Sequence, residues 1–97
     1  MIVKKHVNEG RLILAVCDSE LIGKKFTEGN RQLDLASNFY KGEETKGKDV
    51  QELMKQAYMI NLVGKKSVDL ALKNKYIEKE NIIIIAKIPH AQASFLG

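Results

Sequence analysis

The chain has 97 residues, a length that fits one domain over residues 1–97 and can bury a core without disulfides or metals. Its hydrophobic fraction of 44% and charged fraction of 29% exclude a disordered chain and a fibrous repeat. The net charge of +4 permits a polyanionic partner without requiring one.

Three features of the sequence indicate a cytoplasmic protein. Cys17 is the one cysteine, so no intramolecular disulfide can form. No apolar run of the sequence, residues 82–86 included, approaches the ~20 residues that a membrane helix needs. The first residues lack the apolar core of a signal peptide. We therefore expect a cytoplasmic protein with no membrane partner.

The chain begins with two β-rich runs, residues 2–7 and 12–17. Gly10 lies between them, and the pattern predicts an antiparallel hairpin with a loop of three or four residues. The second run is apolar at every position, which predicts a strand inside the sheet that is covered on both faces.

The next stretch gives weaker signals. Residues 18–26 combine helix-capping side chains with Gly23 and predict a turn or one short helix. Residues 32–36 alternate between apolar and polar and predict a third strand near an edge, with Leu33 and Leu35 facing the core. Residues 38–48 are polar and predict an exposed loop.

The second half of the sequence predicts two helices with a strand at 59–63 between them. Asp49 and Glu52 have the spacing of a capping box, so the first helix is expected to begin there. Its packing stripe consists of Val50, Leu53, Met54, Ala57 and Tyr58. The second helix follows a polar turn at 64–67 and ends near Asn74 or Lys75. Its inner face is formed by Val68, Ala71, Leu72 and Tyr76.

Residues 82–86 are consecutive apolar and mostly β-branched residues, the pattern of a central strand buried on both faces. Residues 59–86 are then expected to form a β-α-β unit with a right-handed crossover between parallel strands. Pro89 should end the regular structure and leave residues 90–94 as a tail or loop. These elements predict an α/β fold, with α+β as the alternative: a small mixed sheet with an N-terminal antiparallel hairpin, a C-terminal β-α-β unit and two main helices.

Three blocks of the sequence resemble a known family. They are residues 17–26 (CDSELIGKKF), residues 61–68 (NLVGKKSV) and residues 88–92 (IPHAQ). In this order and with these separations they look like the archaeal family catalogued as domain of unknown function 424. The resemblance spans nearly the whole chain and implies an archaeal source. It implies no activity.

The turn Gly64-Lys65-Lys66-Ser67 is the sharpest candidate site. Free N–H groups and partial positive charge at a helix N-terminus bind anions, and two lysines add to that field. The alternative is that both lysines extend into water and that Asp69 compensates for them. The turn is not a Walker A loop, because Met59 and Lys66 stand where that motif needs Gly and Ser or Thr.

A second group of residues is expected at the same edge of the sheet. If strands 59–63 and 82–86 are parallel neighbours, their carboxyl ends place the 64–67 turn beside His90, which could act as an acid, a base or a phosphate partner. Cys17 and Asp18 follow another buried strand and could reach this edge. The alternative is that Cys17 is a buried small hydrophobe and that His90 orders a loop. His6, Cys17, Asp18 and His90 lack paired ligand spacing, so neither a metal nor a cofactor is predicted.

These observations leave three functional hypotheses. The first is a non-enzymatic binding module for RNA or another phosphate-bearing partner, acting through Lys24, Lys25, Lys65 and Lys66. The second is a small-ligand or enzymatic pocket at the sheet edge, and the third is a protein-interaction subunit of a larger assembly. The anion- or ligand-binding candidates are Lys24, Lys25, Asn61, Gly64, Lys65, Lys66, Ser67, His90 and Gln92, and a pocket would add Cys17 and Asp18. With three Tyr, three Phe and no Trp, no aromatic stacking platform is apparent in the sequence. Ligand identity, strand order and oligomeric state stay open.

Overall fold

A computed structural model describes residues 1–95 of the chain. The strands are β1 (Ile2–Asn8), β2 (Arg11–Cys17), β3 (Lys25–Glu28), β4 (Arg31–Asp34), β5 (Glu43–Glu44), β6 (Met59–Val63), β7 (Ile83–Ile85) and β8 (Ile88–Ser94). The α-helices are α1 (Gly47–Gln56) and α2 (Lys65–Lys73), and short 3-10 helices span Ser19–Leu21, Asn38–Tyr40 and Lys79–Asn81. Six strands form a mixed sheet in the order β5-β1-β2-β6-β8-β7, and β3 pairs with β4 in a separate two-stranded sheet. The fold is thus α/β with a mixed sheet, as predicted.

The N-terminal hairpin is confirmed. β1 and β2 pair antiparallel from Ile2 opposite Cys17 to Asn8 opposite Arg11. The loop is shorter than predicted, because Glu9 and Gly10 alone make the turn, with φ of 54° and 76°. Such left-handed two-residue turns match the twist of paired strands. β2 lies between β1 and β6, which explains why it is apolar throughout.

Residues 18–44 form a cover over one part of the sheet. The short helix expected in 18–26 is the 3-10 turn Ser19–Leu21, and the strand β3 that follows it was not predicted. β4 pairs with β3 instead of joining the main sheet, while Leu33 and Leu35 are buried as predicted. The exposed 38–48 loop contains one 3-10 turn and the two-residue strand β5, which pairs with the start of β1.

The two helices agree with the predicted packing faces. The predicted helix start at Asp49 with a capping box to Glu52 is wrong: α1 begins at Gly47, and its N-cap residue Lys46 makes no side-chain capping hydrogen bond. Val50 and Met54 are fully buried, as the predicted stripe requires. α2 ends with Asn74 as its C-cap. No helix within residues 1–95 is long and apolar enough to cross a membrane.

The predicted β-α-β unit with neighbouring parallel strands is wrong, because the C-terminal strands are arranged differently. β7 is an edge strand, and its Ile83 and Ile84 are 47% and 51% exposed. β8 lies between β6 and β7 and is antiparallel to both, so β6 and β7 point the same way but are not neighbours. The expected tail after Pro89 is therefore a central strand, and the expected central strand is at the edge.

Pro89 is tolerated in β8 because Gly64, the residue opposite it, does not need a hydrogen bond from position 89. Gly64 N donates to the Pro89 carbonyl at 2.9 Å, so these residues continue the β6–β8 ladder. A residue with an N–H at position 89 would donate in return to Gly64 O. That oxygen instead accepts from Val68 N at 3.0 Å and begins α2. The missing N–H of proline therefore leaves no acceptor without a partner.

The two faces of the main sheet have different neighbours. On one face, side chains such as Val16, Leu62 and Ala91 pack with both α-helices. On the other face, Cys17 and Val63 pack with Leu33 and Leu35 around the β3–β4 hairpin. Below, the first is called the helix face and the second the hairpin face.

Candidate functional site

The candidate site lies where β2 and β6 end together. The two strands are parallel, with Cys17 opposite Val63, and Asp18 N donates to the Val63 carbonyl at 3.0 Å. Asp18 and Gly64 therefore leave the sheet side by side. The structure therefore brings together residues 17–26 and residues 61–68, two of the three blocks that carry the family resemblance.

The carboxylate of Asp18 caps the N-terminus of α2. Its Oδ1 accepts from Ser67 N at 2.8 Å and from Ser67 Oγ at 2.7 Å, and its Oδ2 accepts from Lys66 N at 3.0 Å. Asp18 is only 3% exposed. A carboxylate at this position satisfies free N–H groups and is stabilised by the helix dipole. The Asp18 carboxylate thus occupies the N-terminus of α2, where an external anion was predicted to bind.

Gly64 is required by this arrangement. Its φ of 104° lies in the region that only glycine adopts readily. A Cβ atom at this position would also overlap the carboxyl group of Asp18. Because Gly64 itself offers no capping side chain to α2, the sequence contains a hint that the cap comes from elsewhere in the chain.

Two of the four predicted lysines, Lys65 and Lys66, lie beside this cap. Lys65 Nζ lies 3.6 Å from Asp69, and Lys66 Nζ lies 3.9 Å from Glu20. Glu20 belongs to the 3-10 turn that follows Asp18, and the chain then reaches Lys24 and Lys25 at the start of β3. All four lysines are exposed. Lys65 and Lys66 thus begin α2, and Lys24 and Lys25 lie in the segment that follows β2. We call these four residues the lysine cluster.

His90 lies beside the 64–67 turn, as predicted, but through a different pairing. It stands opposite Val63 in the antiparallel β6–β8 ladder, and Gln92 stands opposite Asn61. His90 Nδ1 is buried and has no hydrogen-bond partner among residues 1–95. Burial lowers the pKa of His90 below its ordinary value, which favours the neutral imidazole.

Cys17 is buried at the same level of the sheet. Its Sγ donates to the carbonyl of Asp18 at 3.4 Å. Burial, reinforced by the nearby charges of Asp18 and Glu20, raises the pKa of the thiol to about 12. Since the thiolate is the reactive form, the thiol of Cys17 is a weak nucleophile at neutral pH.

A cluster of aromatic side chains was missed by sequence reasoning. The ring of Phe39 stacks on that of His6, with centroids 4.6 Å apart and planes 12° apart. His6 Nε2 donates to the Phe39 carbonyl at 3.0 Å. The next residue, Tyr40, packs edge-on to Phe39 and donates its hydroxyl to Asn61 Oδ1 at 2.8 Å. Two adjacent aromatic residues in an otherwise polar loop were the signal that could have revealed this cluster.

Two other kinds of site, a metal site and a surface groove, are weaker candidates. Within residues 1–95, no three His, Cys, Asp or Glu side chains are placed to hold a metal ion. A groove of about 980 Å³ is lined by residues of β1, β5 and α1. Its lining contains four lysines and four acidic residues, so it has no excess of positive charge.

Comparisons with known proteins agree with this fold. The family model described as "Protein of unknown function (DUF424)" matches residues 6–96, as the sequence resemblance predicted. The chain is also similar to a crystal structure of an uncharacterized conserved protein from Methanopyrus kandleri, at 21% identity and a TM-score of 0.76. That match covers 99% of this chain and 96% of the other, and it shows a shared fold. No curated protein matches the chain.

Proposed function

The chain belongs to DUF424, a family of unknown function, and we propose that it is a non-enzymatic module that binds RNA or another phosphate-bearing partner. The lysine cluster is the contact surface. The observation that supports the proposal is that Lys65 and Lys66 begin α2 beside the paired ends of β2 and β6, where they are exposed. Lys24 and Lys25, in the segment that follows β2, are exposed as well.

The Asp18 cap favours a polyanion over a single small phosphate. A small phosphate group is usually held by several backbone N–H groups at a helix N-terminus. Here Asp18 takes the N–H groups of Lys66 and Ser67. An external anion therefore meets lysine ammonium groups, which act as point charges without the fixed geometry of a backbone cradle. Such charges suit the repeating phosphates of RNA, where many weak contacts add up.

The neighbouring titratable groups support a binding role over catalysis. Asp18 is used as a helix cap, and the Cys17 thiol is buried and protonated. His90 lies two strands from Cys17, on the far side of Val63, and its Nδ1 is buried. Asp18 and Cys17 are thus accounted for by structural roles.

The proposal is tested by measuring RNA binding as a function of salt. Total RNA should bind at about 25 mM KCl and dissociate progressively toward about 300 mM, because phosphate contacts release counterions. Changing Lys24, Lys25, Lys65 and Lys66 together to Gln should reduce the slope of log affinity against log salt by up to about 3, because each phosphate of a single strand that a lysine neutralises adds roughly 0.7 to that slope.

The matched control changes the same net charge elsewhere on the surface. Lys46, Lys48, Lys73 and Lys79 are exposed and lie outside the lysine cluster, so their replacement by Gln should leave most of the slope intact. An absence of binding at the lowest salt would refute the proposal. Equal reductions of the slope in the two variants would refute the assignment of the binding surface to the lysine cluster.

A further inference from the structure

The hairpin face of the main sheet is only partly covered. Near Cys17 and Val63 it is buried under the β3–β4 hairpin. Farther along the strands, toward the start of β6, Ile13, Met59 and Asn61 are partly exposed, and Gln92 on β8 is exposed. These four side chains come from three adjacent strands that are aligned in register. They form an open strip across the sheet, which we call the sheet strip.

The strip carries no negative charge of its own. The strands β1, β2, β6, β7 and β8 contain no Asp or Glu, although they contain Lys4, His6, Arg11 and His90. Acidic residues in the main sheet are confined to β5 at one edge. There Glu44 accepts from the N-terminal ammonium at 2.6 Å and from Ser19 Oγ at 2.6 Å, so its charge is already paired. The strip is therefore electrostatically suited to a polyanion.

The aromatic cluster stands at the end of this strip. His6 and Phe39 are already stacked in parallel, and both rings remain partly exposed. Tyr40 ties the same 3-10 turn to Asn61 on the strip. The rings are thus fixed in place before any ligand arrives. His6 stands opposite Ile13, and Ile13 stands opposite Met59, so the stacked pair adjoins the apolar side chains of the strip.

We infer that unpaired bases of a single-stranded RNA stack on the His6–Phe39 pair and lie along the sheet strip. This inference rests on the proposed function and specifies the form of RNA that is bound. The amides of Asn61 and Gln92 are the groups that can hydrogen-bond base edges. Lys4 lies in the same register two strands from Asn61, with Ala15 between them. A duplex keeps its bases stacked on each other and cannot offer them to this surface.

The absence of tryptophan in the chain allows a direct test. Phe39→Trp places one tryptophan in the aromatic cluster, and a single-stranded RNA of about ten nucleotides should quench its fluorescence in a saturable manner. A duplex of the same length should quench it much less. Inorganic polyphosphate, a polyanion without bases, should not quench it at all.

The matched control places the tryptophan on a different surface. Phe95 packs edge-on to Tyr76, beyond the end of α2, and Phe95→Trp should show no quenching by any of the three ligands. In a separate binding assay, Phe39→Leu should weaken single-stranded RNA binding about tenfold and leave duplex binding unchanged. Circular dichroism of each variant confirms that it is folded, and Phe39→Tyr, which keeps the ring, should retain the affinity of the natural chain.

The outcomes separate this inference from the proposed function. If no RNA binds at low salt, both fail. If RNA binds through the lysine cluster but single strands and duplexes bind equally and Phe39→Trp is not quenched, base stacking on the sheet strip is refuted while the lysine cluster stands. Equal quenching by polyphosphate and RNA would also refute stacking, because polyphosphate has no bases.

Discussion

At the scale of single residues, Asp18 links the two halves of the candidate site. It follows β2 directly, and its carboxylate accepts three hydrogen bonds from Lys66 and Ser67 at the start of α2. Because the carboxylate is buried, water cannot replace these bonds when the side chain is changed. Gly64 is adapted to the same contact by its backbone conformation and its missing side chain.

Asp18→Asn should lower the free energy of unfolding by about 2 to 4 kcal/mol. The amide loses the negative charge that the helix N-terminus favours, and its NH₂ group would face N–H donors. Urea denaturation of both proteins measures the difference. Asp49→Asn is the control, since Asp49 is exposed in the first turn of α1, and it should change stability by less than about 0.5 kcal/mol. Equal effects of the two substitutions would contradict the capping role.

At the scale of elements, the β7–β8 hairpin decides the C-terminal topology. Its turn consists of Ala86 and Lys87, with φ of 51° and 66°. Two-residue turns of this kind prefer Asn followed by Gly, because other side chains are strained at positive φ. A contact from the other sheet supports the strained turn, since Ala86 N donates to Glu28 Oε1 at 2.9 Å. This hydrogen bond ties β3 to the turn that follows β7.

Lys87→Gly should raise the free energy of unfolding by about 1 kcal/mol, because glycine adopts the required φ without strain. Thermal or urea unfolding measures the gain. Lys87→Ala removes the same charged side chain but keeps the Cβ atom, so it should give no comparable gain. A neutral or destabilising Lys87→Gly would show that backbone strain at this turn is not relieved by glycine.

At the scale of the whole molecule, the hairpin face collects buried groups that stay neutral. Burial raises the pKa of Cys17 from its ordinary 9.0 to about 12, and burial with a smaller contribution from Cys17 raises the pKa of Tyr40 from 10.0 to about 12. Burial also lowers the pKa of His90. Folding therefore favours the protonated thiol, the protonated phenol and the neutral imidazole on one side of the sheet.

The free energy of unfolding should fall as pH rises from about 9 toward about 12. In this range the unfolded chain releases the protons of Cys17 and Tyr40, while the folded chain retains them. Stability from these groups is thus complete below pH 9 and is lost as pH approaches the folded values, by on the order of 2 kcal/mol between about pH 8 and about pH 11. Urea unfolding at several pH values measures the decrease. Tyr40→Phe should make this alkaline decrease smaller, and an unchanged decrease would exclude Tyr40 as a contributor.

Local sequence patterns predicted much of the secondary structure. Alternating or continuous apolar runs located β1, β2 and β6, and helical spacing identified buried residues of α1 and α2, such as Val50 and Val68. The turn Gly64-Lys65-Lys66-Ser67 was predicted as a helix start after a strand, and it is one. These features depend on propensity and periodicity within a few neighbouring residues, which the sequence displays directly.

Only the tertiary structure decided strand order and the roles of the site residues. An apolar run such as residues 82–86 has the same pattern whether its strand is central or at an edge, and Pro89 was compatible with β8 only because Gly64 O is used by α2. The anion at the start of α2 is Asp18, and the ring that stacks on His6 is Phe39. Both contacts join residues that are far apart in sequence, and such contacts depend on how the strands pair and pack, which local patterns do not encode.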